Sequence, residues 1–502
     1  MLWVKHPLML VLVLGLILRL IAAFVSKGYL MHDDHFLVIE AASSWAHGTD
    51  YNHWLPWTLG NTGPEGHSFF YVGIHYLLFK SFLAVGLQDP QLQMLVIRIL
   101  HAIYSLLIIY FGYKITSHYG NRNQARMVGL ILALLFILPN FSVRNLVEVV
   151  CIPPLMAAVY WLATKQDKSS WRAYIIAGIL SGIAVGIRYQ AGLIPLGLGL
   201  VILIFERNFK GFIIFGIASA LSFFGTQVPD IFIWDRPFAE LTEYIRYNFI
   251  HGSSYFQSPW YTYLLTIAGA LIPPISFFLI FGFIREWKRL RYLVLPSFLF
   301  LVVHSLIVNK QERFILPIIP FIIIAGIIGW YNYVDKSAFW AKRKRLHQIC
   351  WGFFWVLNTI LLSVATLSYG KKARVEAMSW IYDNGASNYA VEYSFRDEIR
   401  YPPQFYSGYW GSYVPIDSGT DLLAFQENIK KMENPPKYVL FYEAPERAER
   451  INNFNALIPI KFEELIEPSF LDKTLHRLNP KNRIELIHIY SIIPEPEEEQ
   501  QD

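Results

Sequence analysis

The chain has 502 residues, of which 54% are hydrophobic, 16% aromatic and only 16% charged. A soluble domain of ordinary composition carries about 25% charged residues, so this composition excludes an ordinary soluble protein. The net charge of +5 does not indicate nucleic-acid binding. The two cysteines, Cys151 and Cys350, are too few for a disulfide framework or a thiolate metal site.

Repeated apolar runs close to the ~20 residues that cross hydrocarbon predict a multi-pass, α-helical membrane protein with about eleven spans. The first run, 7–25, is not followed by a small-residue cleavage site, and this favours a retained signal anchor. The further predicted spans are, in chain order, 92–114, 125–140, 146–164, 172–188, 190–206, 211–228, 260–284, 291–308, 314–334 and 348–369.

Basic connectors decide the expected orientation. The five basic connectors are 114–126, 165–172, 206–210, 285–291 and 336–347. The positive-inside rule places all five in the cytoplasm.

The apolar run 69–87 either crosses the membrane or lies at its surface. The five basic connectors share the cytoplasmic side only if this run does not cross. We therefore assign 69–87 to a re-entrant or interfacial helix within a long first external loop, 26–91. The loop 229–259 is then external, as is the chain after residue 370.

Composition divides the chain near Gly370. Residues 1–370 form the predicted membrane domain, and 371–502 form a predicted small α/β domain outside the membrane. Within it, 438–454 has the pattern of a buried strand followed by a polar helix. The terminal PEPEEEQQD, 494–502, is predicted to be a disordered acidic tail.

Unusual polar residues gather at the predicted external helix ends, and this is the main clue to function. Ionisable residues at membrane depth are costly, so they usually mark a site or a pathway. The candidates are Asp33, Asp34, Glu40, Arg144, Glu148, Arg188, His304, Lys310, Glu312 and Arg313.

The adjacent acids Asp33 and Asp34 form the first candidate site. A carboxylate near the membrane surface can accept a proton from a hydroxyl nucleophile. Two neighbouring acids can also hold each other's pKa values apart. The alternative is that the pair caps or solvates a helix just beyond a span.

The stretch HSLIVNKQERF, 304–314, forms the second candidate. Lys310 and Arg313 are spaced to share a helical face, and two cations at an external helix end suit a phosphate. Glu312 is placed to orient the arginine. The alternative is a solvated helix end with snorkelling side chains.

Three further stretches are weaker candidates when each is taken alone. Arg144 and Glu148 are spaced to pair with each other on a helix, and Arg188 lies at another external end. The loop 229–259 and the residues just after it carry Asn248, Trp260 and other aromatic residues. These suit either an interface belt or stacking against a sugar or an isoprenoid.

Taken together, these residues resemble the GT-C glycosyltransferases of family 22, the mannosyltransferases of GPI-anchor and N-glycan assembly and their bacterial relatives. The family's His-Pro-Asp-Glu-x-Phe pattern stands here as Met31-His32-Asp33-Asp34-His35-Phe36, with Glu40 after it. Its His-Lys-Glu-x-Arg-Phe pattern stands as Asn309-Lys310-Gln311-Glu312-Arg313-Phe314.

The resemblance covers most of 1–330. Its intermediate positions correspond to Arg144, Asn145, Glu148 and Arg188, and Asn248-Phe249 and Pro259-Trp260-Tyr261 resemble the family's long external loop. The departures are Met-His for His-Pro, Asp for Glu as the second acid, and Asn-Lys-Gln for His-Lys-Glu. They suggest a bacterial member, and they leave the acceptor and the sugar open.

The resemblance implies transfer of a sugar, with inversion, from a polyprenyl-phosphate donor to a glycan or glycolipid acceptor outside the cytoplasm. Asp33 would be the general base, with Asp34 beside it, and Lys310, Arg313 and Arg188 would offset charge on the leaving phosphate. No cofactor or metal is expected. The expected location is a bacterial inner membrane with the site facing the periplasm, or the endoplasmic reticulum in a eukaryote.

Two other readings remain open at this point. One is an enzyme of the same fold that moves another sugar or a phospho-group onto lipid A or a surface polymer. The other is a flippase or transporter of lipid-linked sugars. A transporter would show polar residues and broken helices at the membrane midplane, whereas the polar residues here gather at one face.

Overall fold

The computed structural model describes residues 5–494, apart from 62, 168, 253–256, 393, 396–397, 400, 418–419, 444–445, 481 and 483. The predicted acidic tail therefore lies almost wholly outside the described residues. The chain divides into two compact units. The first comprises Met1–Ser26, His53–Ile74 and Val96–Leu367, and the second comprises Lys27–Asn52, His75–Leu95 and Ser368–Asp502.

In the described part of the first unit the regular secondary structure is helical, and loops such as 53–68 join the helices. Its longer helices are Pro7–Val25, Leu106–Tyr119, Arg122–Leu134, Ile152–Thr164, Trp171–Ile187, Leu193–Leu200, Phe209–Thr226, Ala239–His251, Thr262–Ala270, Ile275–Arg285, Arg291–Leu306, Ile319–Val334 and Lys344–Thr366. Shorter helices are Ile137–Val143, Val147–Val150, Tyr189–Gly192, Val201–Phe205, Val228–Trp234, Glu312–Ile318 and Ala338–Lys342. Two more helices, Phe69–Ala84 and Pro90–Tyr104, belong partly to each unit.

Among the described residues, six helices are long and apolar enough to cross a membrane, or eight if each bent pair forms one span. The bent pairs are Arg122–Leu134 with Ile137–Val143, at 57°, and Thr262–Ala270 with Ile275–Arg285, at 116°. Pro273 lies at the second break, where a proline has no N–H to continue a helix. The predicted count of about eleven spans stays a prediction, as does the external position of the helix Phe69–Ala84.

Glycine permits close helix packing in the first unit. The helices Trp171–Ile187 and Phe209–Thr226 pack against each other. A Cβ on Gly182 would lie 2.5 Å from the carbonyl oxygen of Ser219, so only glycine permits this approach. Small residues at such contacts are typical of helix pairs in membranes.

Arg19 is a buried charge within the first apolar helix. Its Nε donates to Ser105 Oγ at 3.0 Å, and its Nη2 donates to the Leu132 carbonyl oxygen at 3.2 Å. The helix Arg122–Leu134 ends two residues later, where terminal carbonyl groups lack helical partners. The arginine therefore links its own helix to Ser105, which precedes the helix Leu106–Tyr119, and to a carbonyl group near the end of the helix Arg122–Leu134.

Glu240 links the helix Ala239–His251 to the segment 54–67, part of the loop that is predicted to be external. Its carboxylate is fully buried and accepts four N–H groups: the Trp54 and Trp234 indoles at 3.1 and 2.9 Å, and the backbone amides of Gly66 and His67 at 2.8 and 3.2 Å. Burial, helped by the charge of Asp230, raises the pKa of this carboxyl to about 8.

We expect Glu240→Ala to lower the free energy of unfolding by about 3 kcal/mol, since each buried donor left unpaired costs about 1–3 kcal/mol. The measurement is thermal unfolding of the purified protein in detergent micelles. Glu243→Ala, which removes only an exposed pair with Arg246, is the matched control and should change stability by less than about 0.5 kcal/mol. Equal stability of the two variants would refute this role for Glu240.

The second unit contains seven short strands in its described part. They are β1 Tyr389–Glu392, β2 Ser394–Phe395, β3 Glu398–Ile399, β4 Val414–Ile416, β5 Tyr438–Tyr442, β6 Ile460–Ile466 and β7 Ile487–Ile492. Five of them form a mixed sheet of order β4-β1-β5-β7-β6, and β2 and β3 form a separate hairpin. β1 is parallel to β4 and β5, whereas β7 is antiparallel to β5 and β6.

Four helices accompany this sheet in the described part of the C-terminal region. They are Lys372–Asp383, Leu422–Lys431, Arg447–Leu457 and Phe470–Leu478, with a short 3₁₀ turn at Gln404–Ser407. The prediction for 438–454 is confirmed, because β5 is buried along its whole length and a helix follows it at Arg447. The α/β character predicted for the C-terminal region is therefore correct.

Gly28 joins the start of the loop that is predicted to be external to the segment that follows residue 367. It forms a parallel β-bridge with Gly370, whose N–H donates to the Lys27 carbonyl oxygen at 3.0 Å. Its φ is +72°, and a Cβ there would lie 1.9 Å from the Gly370 carbonyl oxygen. Both requirements favour glycine at this contact between the loop and the C-terminal region.

Candidate functional site

The predicted catalytic acids start a helix in the second unit. Residues His32–Asp34 form one helical turn, which continues as a π-helical segment His35–Glu40 and an α-helix Ala41–Ala46. The positive end of the helix dipole favours negative charge in this first turn. Asp33 is partly exposed, whereas Asp34 is only 4% exposed. Asp33 is thus the more accessible of the two acids.

Glu40 and His35 hold that helix in place through buried contacts. Both are almost completely buried, and His35 Nε2 lies 3.2 Å from Glu40 Oε1. The same carboxylate oxygen accepts the Phe405 backbone N–H at 3.1 Å, and burial raises the pKa of the Glu40 carboxyl. The His35 ring stacks between Tyr29 and Tyr406, with centroids 4.4 and 5.5 Å away.

The C-terminal region therefore holds the helix that carries Asp33. The π-helical segment His35–Glu40 widens the helix at that point, and such segments often occur at functional sites. Glu40 matched only the end of a sequence pattern, and no local pattern indicates its hydrogen bond to a residue 365 positions later.

Arg188, Glu148 and Arg313 form a buried cluster in the first unit. Arg188 Nη1 lies 2.6 Å from Glu148 Oε1, and Arg313 Nε lies 3.3 Å from the same oxygen. Exposure is 6% for Arg188, 8% for Arg313 and zero for Glu148. Two guanidinium groups share one carboxylate, so the three side chains carry an excess of one positive charge.

Arg188 has further capacity to donate hydrogen bonds. Its Nε and Nη2 are buried and form no hydrogen bond within the part of the chain that the structure describes. The guanidinium groups of Arg188 and Arg313 lie 5.1 and 5.6 Å from the centre of the Phe314 ring, which helps to hold both side chains in place. A buried cationic cluster with unused donors is the local chemistry of an anion site.

The structure corrects the predicted geometry of Lys310 and Glu312. Gln311 is extended, and the 3₁₀ helix starts only at Glu312, so Lys310 and Arg313 do not share a helical face. Lys310 Nζ donates to the Ser258 carbonyl oxygen at 3.0 Å. Glu312 is exposed, and Glu148 and Gln311 hold Arg313 instead.

The predicted helical pairing of Arg144 with Glu148 is also wrong. The helix Ile137–Val143 ends before Arg144, which is extended, and a new helix starts at Val147. Arg144 Nη2 donates to Ser26 Oγ at 2.7 Å. The break directs Glu148 to Arg188 and Arg313.

Two further polar side chains in the first unit, His304 and Tyr71, are held by hydrogen bonds. His304 is 2% exposed, stacks on Phe300 and bonds its carbonyl oxygen through Nδ1 at 2.9 Å. Tyr71, which the sequence did not single out, donates to Asn145 Oδ1 at 2.6 Å and lies 2.9 Å from His101 Nε2.

Asn248 and Trp260 lie outside the cluster. Asn248 Nδ2 donates to the Tyr244 carbonyl oxygen at 2.8 Å within its own helix, and Trp260 is 65% exposed. Their role as substrate contacts stays a prediction. Among the described residues, no group of three or more His, Cys, Asp or Glu side chains is arranged to hold a metal ion.

Comparison with known proteins places these residues in a family context. The model of the Alg9-like mannosyltransferase family matches residues 10–398. Mannosyltransferase APTG1 of Arabidopsis thaliana is 24% identical over 330 residues, which cover 64% of this chain and 57% of the relative. GPI mannosyltransferase 3 of Drosophila melanogaster is 25% identical over 352 residues, which cover 66% of this chain and 58% of the relative. The chain thus spans less than two thirds of the length of these relatives.

Two kinds of solved structure share the fold. ArnT from Cupriavidus metallidurans, bound to undecaprenyl phosphate, superimposes with a TM-score of 0.59 at 11% identity over 96% of this chain and 97% of its own. The oligosaccharyltransferase AglB from Archaeoglobus fulgidus, in complex with an inhibitory peptide and a dolichol-phosphate, superimposes with a TM-score of 0.51 at 13% identity. The match covers 87% of this chain and 69% of AglB. At these identities the likeness shows the fold alone.

Proposed function

The chain belongs to the Alg9-like mannosyltransferase family, and from this premise we propose that it transfers a mannosyl residue from a polyprenyl-phosphate donor to a glycan or lipid-linked acceptor. It is a glycosyltransferase and a multi-pass membrane protein with the GT-C fold. The donor, the acceptor and a site on the extracytoplasmic face, in a bacterial inner membrane, are parts of the proposal.

The observation that carries the donor proposal is the Arg188–Glu148–Arg313 cluster. A polyprenyl-phosphate-sugar becomes a lipid phosphate with one more negative charge as the glycosidic bond breaks. A fixed, buried excess of positive charge stabilises such a leaving group more than it stabilises the intact donor. The unused donors of Arg188 suit phosphate oxygens.

The proposed reaction is a single displacement. The acceptor hydroxyl oxygen attacks the anomeric carbon while the bond from that carbon to the phosphate oxygen breaks, through a transition state of oxocarbenium character and with inversion. The hydroxyl proton passes to the Asp33 carboxylate as general base. The electron pair of the broken bond leaves with the lipid phosphate, where Arg188 and Arg313 offset its charge.

Asp34 and Lys310 take supporting parts in the proposal. Asp34 is buried beside Asp33 in the first turn of the helix, where the helix dipole favours an acidic residue. Lys310 is bonded to a backbone carbonyl group, so its contribution to the phosphate is smaller than that of the two arginines.

The test is a donor panel with the purified chain in liposomes. Polyprenyl-phosphate mannose, glucose and arabinose are offered separately with membrane glycolipid acceptors, and released lipid phosphate is the readout. We expect release with the mannose donor and much less with the others. Release with glucose or arabinose alone would refute mannosyl transfer and leave a glycosyltransferase of another sugar.

A further inference from the structure

A cavity of about 390 Å³ lies in the second unit, and nothing so far assigns it a role. It is lined by the helix that starts at His32, by Tyr51 and Asn52 beyond the end of that helix, and by the segment 401–413. Its volume falls in the range of about 300–1,000 Å³ that is typical of small-ligand sites. We call it the aromatic cavity, after its principal lining residues, His32, Phe36, Tyr51, Tyr401, Trp410 and Tyr413.

The lining combines flat aromatic faces with neutral polar groups. The Trp410 ring lies 6.0 Å from the Tyr51 ring, and the Tyr401 ring lies 5.2 Å from His32. Asn52, Gln404 and Ser412 supply amide and hydroxyl groups. No Asp, Glu, Lys or Arg is among the described residues that line it, so the lining suits an uncharged ligand and not a phosphate.

A saccharide is the neutral ligand that fits this mixture. One face of a pyranose ring presents C–H groups, which pack against aromatic rings, while its edge presents hydroxyl groups that need hydrogen-bond partners. An isoprenoid chain would instead require a lining without amides and hydroxyls.

Asn52 supplies an independent sign of a polar ligand. It lines the cavity, and neither its Nδ2 nor its Oδ1 forms a hydrogen bond within the described part of the chain, although both atoms are shielded from solvent. Buried amide groups are normally satisfied. A sugar hydroxyl both donates and accepts, so it could satisfy both atoms.

The position of the cavity indicates which substrate it would take. His32 lines it and directly precedes Asp33, and the His32 ring packs against Phe36, another lining residue, at 4.3 Å. The group whose proton Asp33 is proposed to accept belongs to the acceptor. A saccharide held here would therefore be the acceptor, not the donor.

We propose that the aromatic cavity binds the saccharide part of the acceptor, a role that rests on the proposed function and gives the C-terminal region a part in substrate recognition. Trp410 supplies the stacking face, and Asn52 supplies the hydrogen bonds that fix the orientation of the sugar ring.

The experiment uses the full chain in detergent micelles and α-mannobiose as the probe, with saturation-transfer NMR for binding and acceptor KM for turnover. Trp410→Ala should weaken binding and raise acceptor KM about tenfold, as expected for one lost stacking face. Asn52→Ala should weaken binding and raise acceptor KM about fivefold. Donor KM should change by less than twofold, as a rough bound.

Phe470→Ala is the matched control, because Phe470 is 84% exposed on the same unit and lies outside the cavity. Trp410→Phe keeps an aromatic face and should restore most of the binding. If Trp410→Ala does not fold, which size-exclusion chromatography would reveal, Asn52→Ala decides.

Loss of mannobiose binding in both cavity variants, but not in the control, supports the proposal. No binding by the wild-type chain, or equal binding by all variants, would overturn it even if mannosyl transfer is observed. If no donor is used but mannobiose binding still depends on Trp410 and Asn52, the proposed function fails and the cavity assignment stands.

Discussion

Asp33→Asn is expected to lower the rate of transfer by at least about 100-fold, the low end for loss of a general base. Asparagine keeps the size and most of the hydrogen bonding of aspartate, but it cannot take up the proton from the hydroxyl group of the acceptor substrate. Asp33 is the partly exposed acid of the pair, whereas Asp34 is buried. Turnover is measured in liposomes with saturating donor, and donor binding is measured separately.

Donor binding should be largely kept in this variant, because the proposed phosphate contacts lie on other residues. Asp383→Asn, an exposed acid at the end of the helix Lys372–Asp383, is the control and should retain full turnover. Asp34→Asn should have a smaller effect. If Asp34 is essential and Asp33 dispensable, the roles of the two acids are reversed.

Arg188→Gln is expected to lower kcat/KM for the lipid donor by about 100-fold or more. The substitution leaves Glu148 paired with Arg313 alone, so the buried excess of positive charge disappears. Both the unused donors of Arg188 and its charge are lost together. Initial rates at several donor concentrations separate the effect on binding from the effect on turnover.

Arg246→Gln is the control for this variant. Arg246 is 66% exposed and pairs with Glu243 on the surface of its own helix, so its loss should leave kcat/KM near the wild-type value. Thermal unfolding of both variants shows whether the buried cluster still folds. Unchanged kcat/KM in a folded Arg188→Gln protein would mean that the cluster only joins helices.

The sequence predicted the elements better than their contacts. Apolar runs identified most of the helices, because burial in lipid or protein leaves a clear compositional signal over one segment. The strand at Tyr438–Tyr442 and the helix after it were predicted for the same reason. Whether each helix crosses the membrane depends on its length and bending, and the two strongly bent pairs could not be predicted from hydropathy.

The candidate cations were identified, but their partners were not. Glu148, Arg188 and Arg313 lie far apart in the sequence and meet only through folding. The predicted pairs assumed unbroken helices, and the helix breaks at Arg144 and Gln311 removed that assumption. Spacing along a helix is informative only where the helix continues.

Two buried carboxylates, Glu40 and Glu240, show the same limit. Each accepts backbone N–H groups from distant segments, and such contacts leave no local pattern. The division near residue 370 followed composition. Composition could not show that Gly28 and Glu40 join the first loop to the C-terminal region. The first contact depends on two backbone segments lying close together, and the second on one carboxylate that accepts a backbone N–H group.

The most direct test of the account is the balance between sugar transferred and lipid phosphate released in liposomes that contain only the purified protein. With doubly labelled polyprenyl-phosphate mannose and an acceptor, we predict equal amounts of mannosylated acceptor and free lipid phosphate, and neither product with Asp33→Asn. Movement of intact lipid-linked mannose across the bilayer, with no lipid phosphate released, would contradict the account and indicate a transporter.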